Sequence, residues 1–495
     1  MAENKISWWQ QIKTFIWNRT PQTIRNTFWP NRSSPNKPGA PKIITDQERL
    51  ENLIKEAKGQ GFDNPLHYAA AKHSHLEIKF LLQHGYKDRI NEKDRHGITP
   101  LGYAREDYVM LALIENGADP NIQNKEGKTP LFYTINPETI AALIAKGANP
   151  NIQDKEGKTP LHYNHNEDTI NALLKGKADP NIQDKEGKTP LFYVNNSNVI
   201  AALIAKGADP NIQDNNGKTC LHQVLAEDIA NALLQGKVNP NIKDNSGLTP
   251  LFYNINNLNV AAALISKGAD PNAKDKFGQT LLHQSLSPKK IEFLVENGAD
   301  PNIQDNYGQT PLFCCYRDNA SSITTLVEKG ANPNIPDKQG KTPLYYYNDV
   351  NAISALIAAK ADPNTRDNYG KTPLHYPQKS EVIETLLKGK ADIEAKDNNG
   401  LTPLFNAVIA QSKDNHLLSN ASITINTLIR YGADVKAVDE KGQTILDYVN
   451  NHKEHFADYQ IDMLSKKSQK TTNYAEQIIN EGKNRNNGDQ GHSIG

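Results

Sequence analysis

Cysteine is scarce in this sequence: Cys220, Cys314 and Cys315 are the only three in 495 residues. An odd number so unevenly spread is no disulfide framework, and no pair stands at zinc-binding spacing. A charge excess is missing too, since 56 lysines and arginines face 56 acids. A chain without a basic excess is not built as a whole to hold polyanions, so nucleic acid is not an expected partner. No apolar run reaches the roughly 18 residues of a membrane-spanning helix. The sequence also has no Gly-rich phosphate loop and no evident cleavable secretory signal. These absences point to a reducing, intracellular, cytoplasmic protein with no cofactor, no metal and no catalytic centre.

What the chain does contain is repetition. Asp154-Lys155-Glu156-Gly157-Lys158-Thr159-Pro160-Leu161-His162-Tyr163 recurs in close variants along most of its length. The threonine falls at Thr99, Thr129, Thr159, Thr189, Thr219, Thr249, Thr280, Thr310, Thr342, Thr372, Thr402 and Thr444, and most steps are 30 residues. A fixed period of this length is the mark of stacked like units.

Each part of the unit has a physical task. Gly157 supplies the positive φ of a tight turn. Thr159-Pro160 predicts a helix start, with a hydroxyl to cap free N–H groups and proline where its missing donor costs nothing. A second capping column follows at Asn136, Asn166, Asn196, Asn256, Ser287 and Asp349. Apolar helices such as residues 139–146 come next, closed by a glycine such as Gly147. Residues 148–153 read as an extended return. The unit is helix, helix, hairpin loop.

This unit resembles the ankyrin repeat, whose signature is Thr-Pro-Leu-His-x-Ala on a period near 33. Thr-Pro-Leu-His stands at 159–162 and 372–375, and Gly-Ala-Asp at 117–119, 207–209, 268–270, 298–300 and 432–434. The resemblance implies an all-α solenoid of about twelve repeats plus a C-terminal cap over residues 62–464. It also implies a monomeric, non-catalytic scaffold that binds a protein partner through hairpin tips and the first-helix face. The 30-residue units are about three residues shorter than the family's, and the loss falls in the first helix. That helix should be only about a turn and a half.

A second period lies over the first. The residue after Pro-Leu reads Phe132, His162, Phe192, His222, Phe252, His283, Phe313, then Tyr345, His375 and Phe405. Either a two-repeat block was duplicated, or the alternation marks a binding face with that period. His67, His73, His75 and His84 look at first like a metal cluster, but their register assigns them to ordinary repeat positions.

The tips carry the site candidates. Lys128, Lys158 and Lys188 follow the turn glycines in near-identical units. Further along, the residue before the glycine becomes Phe277, Tyr307 and Tyr369. Aromatics dominate interface energetics, so these three are the expected partner contacts.

Residues 1–45 stand apart, with seven basic residues against one acid and all four tryptophans within the first 29 residues. A helix here would gather Trp8, Trp9, Ile12, Phe15 and Ile16 on one face. Such a face suits a shield over the first repeat, a groove on a partner, or a membrane surface reached through residues 5–19. A proline-rich linker follows. Residues 46–61 read as an N-terminal capping helix opened by Thr45 and Glu48, and residues 465–495 as a disordered polar tail. Near-identical repeats rich in Asn, Lys and Ile also resemble bacterial effectors that act inside a host cell.

Overall fold

The structure, a computed structural model, describes residues 44–284, 287–315, 319–413 and 420–468. Among them the chain is a single stack of helical units with no strand; one isolated bridge joins Val438 to Thr444. The Trp-rich segment, the proline linker, most of the polar tail and part of the insertion after Gln411 lie outside the described residues.

A helix at Asp46–Gly59 opens the stack. Thr45 and Glu48 cap each other reciprocally, with the Glu48 N–H donating to Thr45 Oγ1 at 3.1 Å and the Thr45 N–H donating to Glu48 Oε2 at 2.9 Å. Leu53 and Ala57 bury its inner side against the first unit. That unit has two full helices, Pro65–Ala71 and His75–Gln83.

In the shortened units the first helix contracts further than the expected turn and a half. It is a three-residue 3-10 turn at Pro130–Phe132, Pro190–Phe192, Pro311–Phe313, Pro343–Tyr345 and Pro373–His375, and four residues at Pro160–Tyr163. The reason is local. A longer helix would send the N–H four residues on to the proline carbonyl. Here a side chain does that work: Thr134 Oγ1 donates to Pro130 O at 3.0 Å, and Asn164 Nδ2 donates to Pro160 O at 2.8 Å. Once that carbonyl is satisfied the backbone is free to leave the helix, and Asn164 is extended.

The second helices are regular nine-residue rods such as Pro137–Ala145 and Glu167–Lys175. Asn136 and Asn166 cap them through side-chain oxygens. One register differs from the sequence reading: Asn257, not Asn256, caps the helix Leu258–Ser266. Ile140 and Leu143 of one unit, and Ile170 and Leu173 of the next, are fully buried, and this pattern continues from Leu53 to Leu464 as one core. Burial of each such side chain stabilises by about 1.5–3 kcal/mol. The stack closes with helices at Ile445–Asn451 and 458–468. There Gln411 and Gln460, both fully buried, bond each other, and Gln460 also donates to Ser422.

Candidate functional site

The hairpin tips are built from one aspartate per unit, with Asn124 in its place in one of them. Asp154 Oδ1 accepts the N–H groups of Glu156 at 3.0 Å and Lys158 at 2.9 Å, which folds the turn. Its Oδ2 accepts the hydroxyl of Tyr163 at 2.7 Å. Asp184–Tyr193, Asp244–Tyr253, Asp337–Tyr346 and Asp367–Tyr376 repeat the pairing. Burial and then the bond to Asp244 push the Tyr253 phenol up to about 12, so these hydroxyls stay protonated donors.

Neighbouring tips are joined through their backbones. The N–H of Lys155 donates to Glu126 O at 2.9 Å, and Lys185 to Glu156 O at 3.0 Å. The same bond links Asn306 to Phe277, Lys338 to Tyr307, Asn368 to Gln339 and Asn398 to Tyr369. Gly157 is required twice over: its φ is +80°, and a Cβ there would stand 2.9 Å from the nitrogen of Lys185. The tips therefore form a ribbon joined at nearly every step, the step from Ser246 to Lys276 having no such bond, and the backbone groups of the residues before the turn glycines are largely used. What remains to meet a partner is chiefly side chain.

A second ladder runs beside the ribbon, and the sequence reading missed it. Asn151 Nδ2 donates to Lys177 O at 3.2 Å while its Oδ1 accepts the N–H of Asp179 at 2.7 Å, both in the next unit. Asn91, Asn121, Asn181, Asn211, Asn241, Asn272, Asn302, Asn334 and Asn364 make the same double bridge. The recurring asparagine after each Asp-Pro or Asn-Pro was the available signal.

The Phe/His alternation lies inside the stack. His162 is 3% exposed and bonds forward to Lys188 O; His222, His283 and His375 do the same to Leu248, Gln309 and Leu401. Tyr345 takes this place in its own unit, its hydroxyl donating to Lys371 O at 2.7 Å. The phenylalanine units have no such bond. Contrary to the capping role expected of the threonine, the hydroxyls of Thr129, Thr249 and Thr310 are buried there without a hydrogen-bond partner. The alternation is thus not an outward face.

The candidate contact residues are placed as follows. Phe277, Tyr307 and Tyr369 stand at the tips with 49%, 61% and 67% of their surface exposed. Lys128 reaches forward over the ring of Tyr163 at 4.9 Å and pairs with Glu126 at 3.4 Å. Lys158 lies between Tyr163 and Tyr193, 5.7 and 4.4 Å from their ring centres. Where the next unit has Gln223 in place of a tyrosine, Lys188 turns to Glu186 at 2.7 Å. These three lysines sit along the first-turn face, while the three aromatics project from the ribbon. Trp8, Trp9, Ile12, Phe15 and Ile16 lie outside the described residues.

The four N-terminal histidines do not converge: His67 bonds Ile98 O, His73 sits in a turn whose carbonyl accepts the Tyr108 hydroxyl, His75 meets the ring of Tyr108, and His84 bonds Phe80 O. Among the described residues no group of three or more histidines, cysteines or acids could hold a metal ion. No described helix is long and apolar enough to cross a membrane.

The ankyrin-repeat family model, which spans three copies of the repeat, matches this chain in nine overlapping windows from residue 44 to residue 427. The chain belongs to the ankyrin-repeat family. Ankyrin repeats are in general protein–protein interaction modules, and the family is typically non-catalytic. No curated protein sequence matches this chain. Solved ankyrin structures do. The ankyrin repeat protein EF0377 is 22% identical, with a TM-score of 0.31, over 36% of this chain and 90% of its own. An ankyrin repeat domain from Acinetobacter baumannii AYE is 28% identical, with a TM-score of 0.31, over 35% of this chain and 98% of its own.

Proposed function

We propose that this ankyrin-repeat chain is a non-catalytic scaffold that holds a protein partner on the hairpin tips of its C-terminal half. The observation that carries the reading is the exposure of Phe277, Tyr307 and Tyr369 on a ribbon whose backbone is largely bonded. Large rings so exposed contribute nothing to the core and are the side chains that dominate interface energies. Lys128, Lys158 and Lys188 extend the contact along the first-turn face toward the N-terminus.

The test is capture of partners by the full chain beside a Phe277→Ala, Tyr307→Ala, Tyr369→Ala variant, after circular dichroism has shown the two to fold alike. Loss of a captured protein from the variant supports the tips. Capture that survives all three substitutions overturns this site.

A second reading rests on the Trp8, Trp9, Ile12, Phe15, Ile16 face and its basic surroundings, which suit an interfacial membrane helix. It requires residues 1–45 to partition onto anionic vesicles in a salt-sensitive way. No partition at low salt ends it.

A further inference from the structure

We infer that the segment taken up by the aromatic tips is an extended, acidic stretch of a protein, carrying apolar side chains at ring spacing. This rests on the tips being the binding site, as proposed above, and adds the chemistry of what they bind.

The first observation is where the charges point. Each tip from residue 274 to residue 401 has one acid: Asp275, Asp305, Asp337, Asp367 or Asp397. All five fold their own turn through Oδ1, and all but Asp275 also engage Oδ2. Asp367 Oδ1 accepts the N–H groups of Tyr369 and Lys371, both at 2.9 Å, and its Oδ2 accepts the Tyr376 hydroxyl. Asp337 is held in the same way by Gln339, Lys341 and Tyr346, and Asp397 by Asn399, Leu401 and Asn406. Three of the cations, by contrast, face outward, whereas Lys274 and Arg366 bond carbonyls of the next unit. Lys276, Lys338 and Lys396 are exposed, and among the described residues none of them is in an ion pair.

The N-terminal tips make the contrast. There an outward glutamate, Glu126, Glu156 or Glu186, stands beside the exposed lysine of each tip, and Glu126 and Glu186 also pair with Lys128 and Lys188. In the half of the ribbon that carries exposed rings, the position of that outward glutamate is taken by Phe277, Tyr307, Gln339, Tyr369 and Asn399. A partner that supplies carboxylates completes it.

The second observation is spacing. Phe277 and Tyr307 lie on consecutive units, and Tyr369 two units further on, with Gln339 between. At roughly 10 Å per unit, the rings span about 30 Å in steps of about 10 and about 20 Å. An extended polypeptide advances about 3.3 Å per residue, so about nine residues cover the row, with ring contacts near positions i, i+3 and i+9. Phe277, Tyr307 and Tyr369 each have both backbone groups bonded, so recognition at the rings runs through side chains. Single-stranded nucleic acid fits less well. Its neighbouring bases stack on closely set aromatics, whereas these rings are a repeat or more apart.

The experiment screens displayed random peptides of about twelve residues against the full chain. Parallel screens use the aromatic triple variant and a charge variant, Lys276→Glu, Lys338→Glu, Lys396→Glu. The expected winners are rich in Asp and Glu with apolar residues about three and about six positions apart. Their binding should fall at least about fivefold between about 50 and about 500 mM salt, and tenfold or more in the charge variant. An oligothymidylate is run alongside as the competing probe. Winners without acidic residues, binding indifferent to the charge variant, or no enrichment at all would overturn the inference. Tighter binding of the oligothymidylate than of any peptide, lost in the charge variant, would also overturn it in favour of nucleic acid. If the aromatic variant loses protein capture while the selected peptides are not acidic, the tip site stands and only the partner chemistry falls.

Discussion

His162 Nε2 donates to the main-chain carbonyl of Lys188 across 3.2 Å, and Lys188 closes the hairpin of the following unit. The proton must sit on Nε2, because Nδ1 accepts the N–H of Thr159 at 3.0 Å. One ring thus caps its own unit and ties it to the next. Phenylalanine at the same register supplies volume but neither bond.

Exchanging the two residue types should therefore change stability in opposite directions. Phe132→His gives the orphan hydroxyl of Thr129 a partner and is expected to raise stability by about 1 kcal/mol, while His162→Phe lowers it by about 1–2 kcal/mol. Urea unfolding measures both. A lowered midpoint for Phe132→His would refute this account of the alternation.

The buried histidines also predict a pH dependence. His67, His162, His222, His283 and His375 are each held below the usual imidazole range, chiefly by burial. The unfolded chain then binds more protons than the folded one at mildly acid pH. Stability is complete above about 6.5, the unfolded value, and is lost as pH falls toward the lower folded values. Urea midpoints should drop between about pH 7.5 and about pH 5, with a shallower drop when His162, His222 and His283 are all phenylalanine. Equal slopes in the two proteins would remove the histidines as the cause.

Four units have a lysine after the second helix where the others use glycine, and in all but the Lys237 unit it adopts the glycine's left-handed backbone. Lys177, Lys360 and Lys390 have φ of 63°, 64° and 68°. A side chain in the left-handed region is strained, so glycine at each position is expected to stabilise by about 1 kcal/mol. Thermal unfolding of Lys177→Gly, Lys360→Gly and the double variant would show it, with near-additive gains because the sites are far apart.

The asparagine ladder makes a local prediction. Asn211→Ala removes the bonds to Lys237 O and to the N–H of Asn239 and should cost about 1–3 kcal/mol. Hydrogen exchange at the Asn239 amide should accelerate more than at Asn149, which Asn121 holds three ladder steps earlier. Uniform acceleration along the chain would mean that the bridge is not local.

Much of the fold was legible because the repeat forces local signals into register. Gly157, Thr159-Pro160, Asn136 and Gly147 each state a backbone requirement that a single residue type meets best. What escaped was everything that depends on the neighbouring unit. Asn151 looks like an ordinary polar loop residue until the next hairpin is stacked on it. His162 and Phe132 left a binding face open as one of two readings because the sequence does not say which side of a three-residue turn faces the next unit. The depth of the first-helix contraction was missed for a related reason, since a side chain such as Asn164 can replace a backbone donor. The exposed rings at Phe277, Tyr307 and Tyr369 were identifiable as tip residues, but the inward bonds of the neighbouring aspartates were not.

The two ladders have a mechanical consequence. Along the hairpin edge the pitch of the stack is fixed by directional bonds at nearly every step, whereas the second helices touch mainly through apolar surfaces that can slide. Such a rod should behave like a bound book. The hairpin edge is the inextensible spine, and the helices are leaves that fan open or closed around it. Elastic bending then changes the spacing of the helices and leaves the distances between tips almost constant, so a ligand spread over several tips would feel little of the flexing.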